Sequence, residues 1–160
     1  MEDADCPIEG ATGTGTETDP VVVDTYTELK EALSKRISYI RAEGYIECPD
    51  TLKVWSAVTL TIEGTLHGEN RVLTLNSNSS WQPYTLQGNG KIVSDKASCV
   101  YTTASLIIKG DLTLESKEST ALFCESPDDS EKGTITIEGG TFTGNRSMSL
   151  NVNLQTTFAG

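Results

Sequence analysis

Leu60-Thr61-Ile62-Glu63-Gly64, Tyr84-Thr85-Leu86-Gln87-Gly88, Leu106-Ile107-Ile108-Lys109-Gly110 and Ile135-Thr136-Ile137-Glu138-Gly139 are four versions of one phrase. Each reads apolar, variable, apolar, variable, glycine. Alternation of this kind is the pattern of a strand with one buried face. The closing glycines are separated by 24, 22 and 29 residues. Second strand candidates lie between them: Val72-Leu73-Thr74-Leu75, Cys99-Val100-Tyr101, Leu122-Phe123-Cys124 and Leu150-Asn151-Val152-Asn153-Leu154. A repeat of this length, with two or three short strands in each unit, suits one coil of a β-solenoid. Glycine marks the corner, where a side chain does not fit.

The expected fold is therefore all-β: a short right-handed parallel β-helix. Residues 45 to 158 hold about five coils, a stack ~25 Å tall at the usual strand spacing. An antiparallel β-sandwich is the alternative. It calls for hairpin dipeptides between most strand pairs, and Asn89-Gly90 is one such pair.

Ahead of the repeats, Val21-Val22-Val23 is a short strand candidate. Thr25 and Glu28 form a capping box, and Tyr26, Leu29 and Leu33 follow at helical spacing with Ala32 beside them. The spacing predicts a helix over 26–36 that covers the N-terminal end of the solenoid. No comparable cap follows Phe158. That end is expected to meet another chain or another copy, with a trimer the favoured homo-oligomer.

Two regions are expected: an extended acidic N-terminal arm, 1–20, and the β-helix domain, 21–160. The arm carries six acidic residues and no basic one. Alone, such a segment lacks the apolar surface to order itself. A partner surface is expected to order it, or else its own domain.

The net charge is −11. Nucleic-acid binding requires a basic face, and none is visible, so nucleic acid is excluded as a partner. The same argument disfavours an anionic membrane surface. No apolar run is long enough to cross a membrane as a helix. Met1-Glu2-Asp3-Ala4-Asp5-Cys6 has neither the basic nor the apolar stretch of a secretory signal.

Candidate chemistry is sparse. Between Val54 and Leu122 the aspartates are Asp95 and Asp111, while Asp128-Asp129 reads as an exposed turn. His67 is the sole histidine. Its plausible carboxylate partners are Glu63 and Glu69, and its expected role is a surface or partner contact. Trp81 and Tyr84 flank Gln82-Pro83 after a polar run and are expected to contact a ligand or partner from an exposed loop. Cys99 and Cys124 are 25 residues apart, close to one coil, and are expected to stack as buried thiols. The cysteine spacings match no zinc pattern. No metal or other cofactor and no catalytic residue is expected.

The run Thr25-Tyr26-Thr27-Glu28-Leu29-Lys30-Glu31-Ala32-Leu33, then Tyr45-Ile46-Glu47-Cys48-Pro49 and Val58-Thr59-Leu60-Thr61-Ile62-Glu63-Gly64, resembles the entry into pectate-lyase-like β-helix domains. Gly133-Thr134-Ile135-Thr136-Ile137-Glu138-Gly139-Gly140-Thr141-Phe142-Thr143-Gly144-Asn145 resembles the coil repeat of gut-bacterial surface proteins and of phage fibres and spikes. The likeness covers residues 21 to 158 and is architectural, and this fold serves many functions. It implies a non-enzymatic virion protein of head-fibre or decoration type, anchored to a capsid or other virion protein through residues 1–20. A bacterial cell-surface or secreted adhesin that binds glycans is the second implication. A polysaccharide lyase or hydrolase is the third; it would need clustered carboxylates that the repeats do not supply.

Overall fold

In a computed structural model of the chain, residues 6–76, 82–125, 134–150 and 155–158 are described, the last of these and 146–150 by backbone alone. They form a right-handed parallel β-helix. Strand β1 (Val21–Val23) and helix α1 (Tyr26–Ser34) come first. Rung one is β2 (Tyr39–Ala42), β3 (Tyr45–Glu47) and β4 (Leu52–Val54). Rung two is β5 (Thr59–Ile62), β6 (Thr65–Gly68) and β7 (Leu73–Leu75). Rung three is β8 (Tyr84–Gln87), β9 (Lys91–Ser94) and β10 (Val100–Thr102). Rung four is β11 (Leu106–Ile108), β12 (Thr113–Ser116) and β13 (Thr120–Cys124). Rung five is β14 (Thr134–Ile137), β15 (Thr141–Thr143) and β16 (Arg146–Leu150), and β17 (Gln155–Phe158) lies beyond it.

The rungs stack into three sheets. The first runs β1-β2-β5-β8-β11-β14-β17, the second β3-β6-β9-β12-β15 and the third β4-β7-β10-β13-β16. Every strand pair among the described residues is parallel, which removes the sandwich. The one antiparallel contact there is an isolated bridge from Thr12 to Val22.

Alternation turns one residue in two into the prism, and register stacks those residues in columns. In the first sheet Val21, Ile40, Leu60, Leu86, Ile108 and Ile137 form one column. In the second sheet Ile46, Leu66, Ile92, Leu114 and Phe142 form another. All of these but Phe142 are buried, and Phe142 packs against the core. Burying each such aliphatic side chain stabilises by roughly 1.5–3 kcal/mol, so cohesion accrues rung by rung.

The glycine phrases sit in the first sheet as expected, but their alignment needs one correction. Leu60 pairs with Leu86, two residues further along the phrase than the pattern suggested. The corner glycines therefore form two ladders. One is Gly44, Gly64 and Gly90; the other is Gly88, Gly110 and Gly139. A slip of two keeps every inward residue inward, so periodicity alone cannot detect it. Asn89-Gly90 is no hairpin: Gly90 stacks on Gly64 at the parallel corner.

Helix α1 starts where the capping residues place it. Thr25 Oγ1 accepts from the Glu28 N–H at 3.2 Å, and Glu28 Oε1 accepts from the Asp24 N–H at 3.1 Å, one residue earlier than the usual reciprocal bond. The helix ends two residues short of the predicted 36, because Arg36 turns into the left-handed region at φ 60°. Leu29, Ala32 and Leu33 are buried, and α1 packs on β1 and β4. It closes the N-terminal end of the stack.

From Cys6 onward the acidic arm lies along its own domain. Ile8 is 1% exposed within the core. The Pro7 carbonyl accepts from Lys35 Nζ at 2.9 Å, and the Thr12 carbonyl from the Val22 N–H at 2.8 Å. The Asp19 carbonyl gathers the N–H groups of Thr14, Gly15 and Thr16. Glu9, Glu17 and Asp19 remain exposed, so the arm presents acid outward while it closes the edge of β1.

Two glycines separate close approach from backbone strain. A Cβ on Gly64 would lie 1.9 Å from the Gly44 carbonyl oxygen, whereas one on Gly44 meets nothing within 4 Å. Gly44 has φ +74°, which a side chain disfavours by about 1–2 kcal/mol. Urea unfolding should show Gly44→Ala costing about that much. Gly64→Ala should cost clearly more, because rungs one and two must part to admit the methyl group. Equal losses would mean that the corners are looser than the structure has them.

Candidate functional site

The outer surface of a three-sided solenoid is three sheet faces, and each displays the residues that alternate with its core column. Ionisable chemistry is concentrated on the face and adjoining corner of the second sheet. With Ile46 and Leu66 inward, Tyr45 and Glu47 of β3 and Thr65 and His67 of β6 point outward. Glu47 pairs with His67 in the strand register. Asp95 follows β9 by one residue and Lys117 follows β12 by one, so both belong to the same corner.

These groups form a ladder of alternating charge up the stack. His67 Nδ1 lies 2.8 and 2.9 Å from the two Glu47 carboxylate oxygens. His67 Nε2 lies 3.1 Å from Asp95 Oδ2. Lys117 Nζ completes the run at 3.0 Å from Asp95 Oδ1. The Tyr45 ring stacks against His67 with centroids 6.1 Å apart, and its hydroxyl donates to Glu47 Oε1 at 3.1 Å. Glu47, His67, Asp95 and Lys117 thus join rungs one to four. The hydrogen bond from Lys117, and then that from His67, holds the Asp95 carboxyl below its ordinary range.

The sequence expectation for His67 is corrected in its partners. Glu69 instead pairs with Lys96 Nζ at 2.5 Å, and Glu63 accepts from Asn89 Nδ2 at 3.4 Å. His67 is a partly exposed residue of a strand, its side chain 20% accessible. The sequence pattern singles out Asp95 without a partner and does not mark Glu47, Tyr45 or Lys117. Their signal was the pairing of Tyr45-Ile46-Glu47 with Thr65-Leu66-His67, which appears once both are aligned on their inward aliphatic residues.

Tyr84 is also corrected. It is fully buried, a member of an inward column of the first sheet, and its hydroxyl donates to the carbonyls of Asn76 at 2.7 Å and Val54 at 3.1 Å. It cannot contact a ligand. Trp81 lies outside the described residues, as do Asp128 and Asp129.

The cysteine stack is corrected by register. Thr102, not Cys99, pairs with Cys124, while the Cys99 thiol donates to the Ala121 carbonyl at 2.9 Å. The local rung is 22 residues long, three short of the distance between the two cysteines. All four thiols are free. Burial pushes the Cys48 and Cys124 thiols up to about 12 and raises Cys99 as well.

The other two faces carry different chemistry. On the first sheet, Thr59, Thr61, Thr85, Gln87 and Lys109 floor a polar groove of about 270 Å³, walled by Glu17 and Pro20 of the arm. On the third sheet, the Tyr101 and Phe123 rings lie 5.5 Å apart. The Arg71 guanidinium covers Tyr101 at 4.4 Å, and the Tyr101 hydroxyl donates to Glu125 Oε2 at 3.0 Å. Trp55, just past β4, is 63% exposed.

What the ladder can do follows from its geometry. Carboxylates that work as acid and base on a sugar bond flank open space. Glu47 and Asp95 instead have a histidine ring between them, and each is bonded to it. Among the described residues no group of three or more His, Cys, Asp or Glu side chains is placed to hold a metal ion. No protein family, curated protein or solved structure matches this chain.

A thiol-reactive disulfide reagent tests the burial of the cysteines. In the folded protein one thiol, half-buried Cys6, should react on mixing, against four after denaturation. The remaining three are both covered and held protonated, and only a thiolate attacks. Rapid reaction of two or more thiols in the native state would contradict the burial.

Proposed function

We propose that this chain is a non-enzymatic structural protein, a β-helix module of virion head-fibre or decoration type. The observation that supports it best is the use made of its ionisable side chains. Glu47, His67, Asp95 and Lys117 bind one another along the stack axis. Such pairing stiffens a rod and ties the Glu47 and Asp95 carboxylates to the ring between them. The resemblance to phage fibre and spike repeats points the same way.

In this reading the module attaches through its N-terminal end and works as a homo-oligomer, a trimer by preference. The attachment surface is the folded, acidic outside of the arm, where Glu9, Glu17 and Asp19 are exposed. A basic patch on a capsid or other virion protein would complement it.

The experiment is copurification with virions produced from the encoding genome. Removing the arm would also remove Ile8 from the core, so charge reversal is the better variant. Glu9→Lys and Glu17→Lys together should abolish incorporation while the circular dichroism spectrum stays that of the parent. Full incorporation of the folded variant would reject the attachment surface.

The third-sheet face favours a second reading, a glycan-binding surface module. Tyr101, Phe123 and Trp55 supply aromatic area, and Arg71 and Glu125 supply polar groups beside it. Under this reading Trp55→Ala and Tyr101→Ala each weaken binding on a glycan array by tenfold or more, roughly the contribution of one stacked ring. An array with no binding by the parent protein would remove it.

A further inference from the structure

The position of His67 between two acceptors carries an inference of its own. A neutral imidazole has one N–H donor and one acceptor nitrogen, whereas an imidazolium has two donors. Here both ring nitrogens face carboxylate oxygens, Glu47 at 2.8 Å and Asp95 at 3.1 Å. A carboxylate only accepts. A neutral ring can satisfy one of the two and must turn a lone pair toward the other.

We propose that His67 is a proton-operated strap: as imidazolium it ties rungs one, two and three together, and loss of one proton cuts the tie to rung three. The surroundings decide which tie is lost. Asp95 keeps Lys117 at 3.0 Å when the histidine becomes neutral. Glu47 keeps the Tyr45 hydroxyl, a weaker neutral donor at 3.1 Å. The remaining proton therefore stays on Nδ1 with Glu47, and the Nε2 contact to Asp95 is released.

The titratable groups that face the ring are Glu47 and Tyr45 from β3 and Asp95 from the end of β9, with Lys117 behind Asp95. The hydrogen bond that the ring donates to Glu47 raises the imidazole above its ordinary 6.5; burial lowers it, and the bond to Asp95 raises it again. A raised folded value gives stability that is fully present below 6.5 and is lost as pH climbs through the folded value. Asp95, held low, contributes in the opposite sense: its share is present above 3.8 and is lost in acid below that. The strap is therefore tight in mild acid and slackens on the alkaline side.

His67 is the sole histidine, so the intact protein gives one imidazole spectrum. Nitrogen-15 NMR across about pH 5 to 9 reads both the titration and the tautomer. We expect a midpoint above 6.5, two protonated nitrogens below it and the Nδ1–H tautomer above it. A midpoint at or below 6.5, or the Nε2–H tautomer that free imidazole favours, would overturn the proposal. In parallel, the melting temperature of the parent should fall across that alkaline limb. That of His67→Gln, whose amide NH2 still donates and cannot titrate, should stay level there. A fall of the same size in both would equally overturn it.

Discussion

The approach of one rung to the next at the corners is the constraint on which this fold depends. Parallel strands pair at a fixed spacing of roughly 4.8 Å, and a prism of short strands meets that spacing only if its corners stack as closely as its faces. Here the corner from the first sheet to the second is closed by backbone lying on backbone. The Gly64 carbonyl receives the N–H of Lys91, and the Gly44 carbonyl that of Thr65. A side chain at such a point would hold two rungs apart, and the inward columns would lose contact with one another.

From that constraint follows what could be read in the sequence. Alternating apolar positions and recurrent glycines gave the architecture, and Thr25 with Glu28 placed the helix. What periodicity lacks is register. The two-residue offset between Gly64 and Gly88 is silent in the pattern, because both alignments bury the same side chains. The same gap in information misplaced Cys99 and Cys124: a repeat averaged over the chain does not fix the length of one rung. It also hid the partners of His67, which are close in space only because β3, β6 and β9 stack in one particular alignment. Tyr84 misled for another reason. Next to Trp81, Gln82 and Pro83 its composition suggests a loop, yet its hydroxyl finds two backbone carbonyls inside and lets a polar tip be buried.

The surface divides its labour among three faces. Charges on the second-sheet side are matched up the axis, aromatic rings gather on the third, and hydroxyls, one amide and one ammonium floor the first. In a solenoid each rung touches only its neighbours, so cohesion is local and additive. A run of four ionisable groups that spans four rungs is an exception to that locality, although exposed pairs of this sort are individually weak and screened by salt. With a net charge of −11, Lys117, joined by His67 when it is protonated, also relieves repulsion among crowded acids.

The connections between sheets are unequal, and this bears on how such a chain can change. The turn from the first sheet to the second is confined by the glycine ladders. The return from the third sheet to the first is not: it takes four residues at 55–58 and three at 103–105. Length can be added at that return without disturbing any stacked corner, since the strands on either side keep their partners. One edge of the prism is thus an open margin where new sequence can be written, while the opposite corner is held to the one residue that has no side chain.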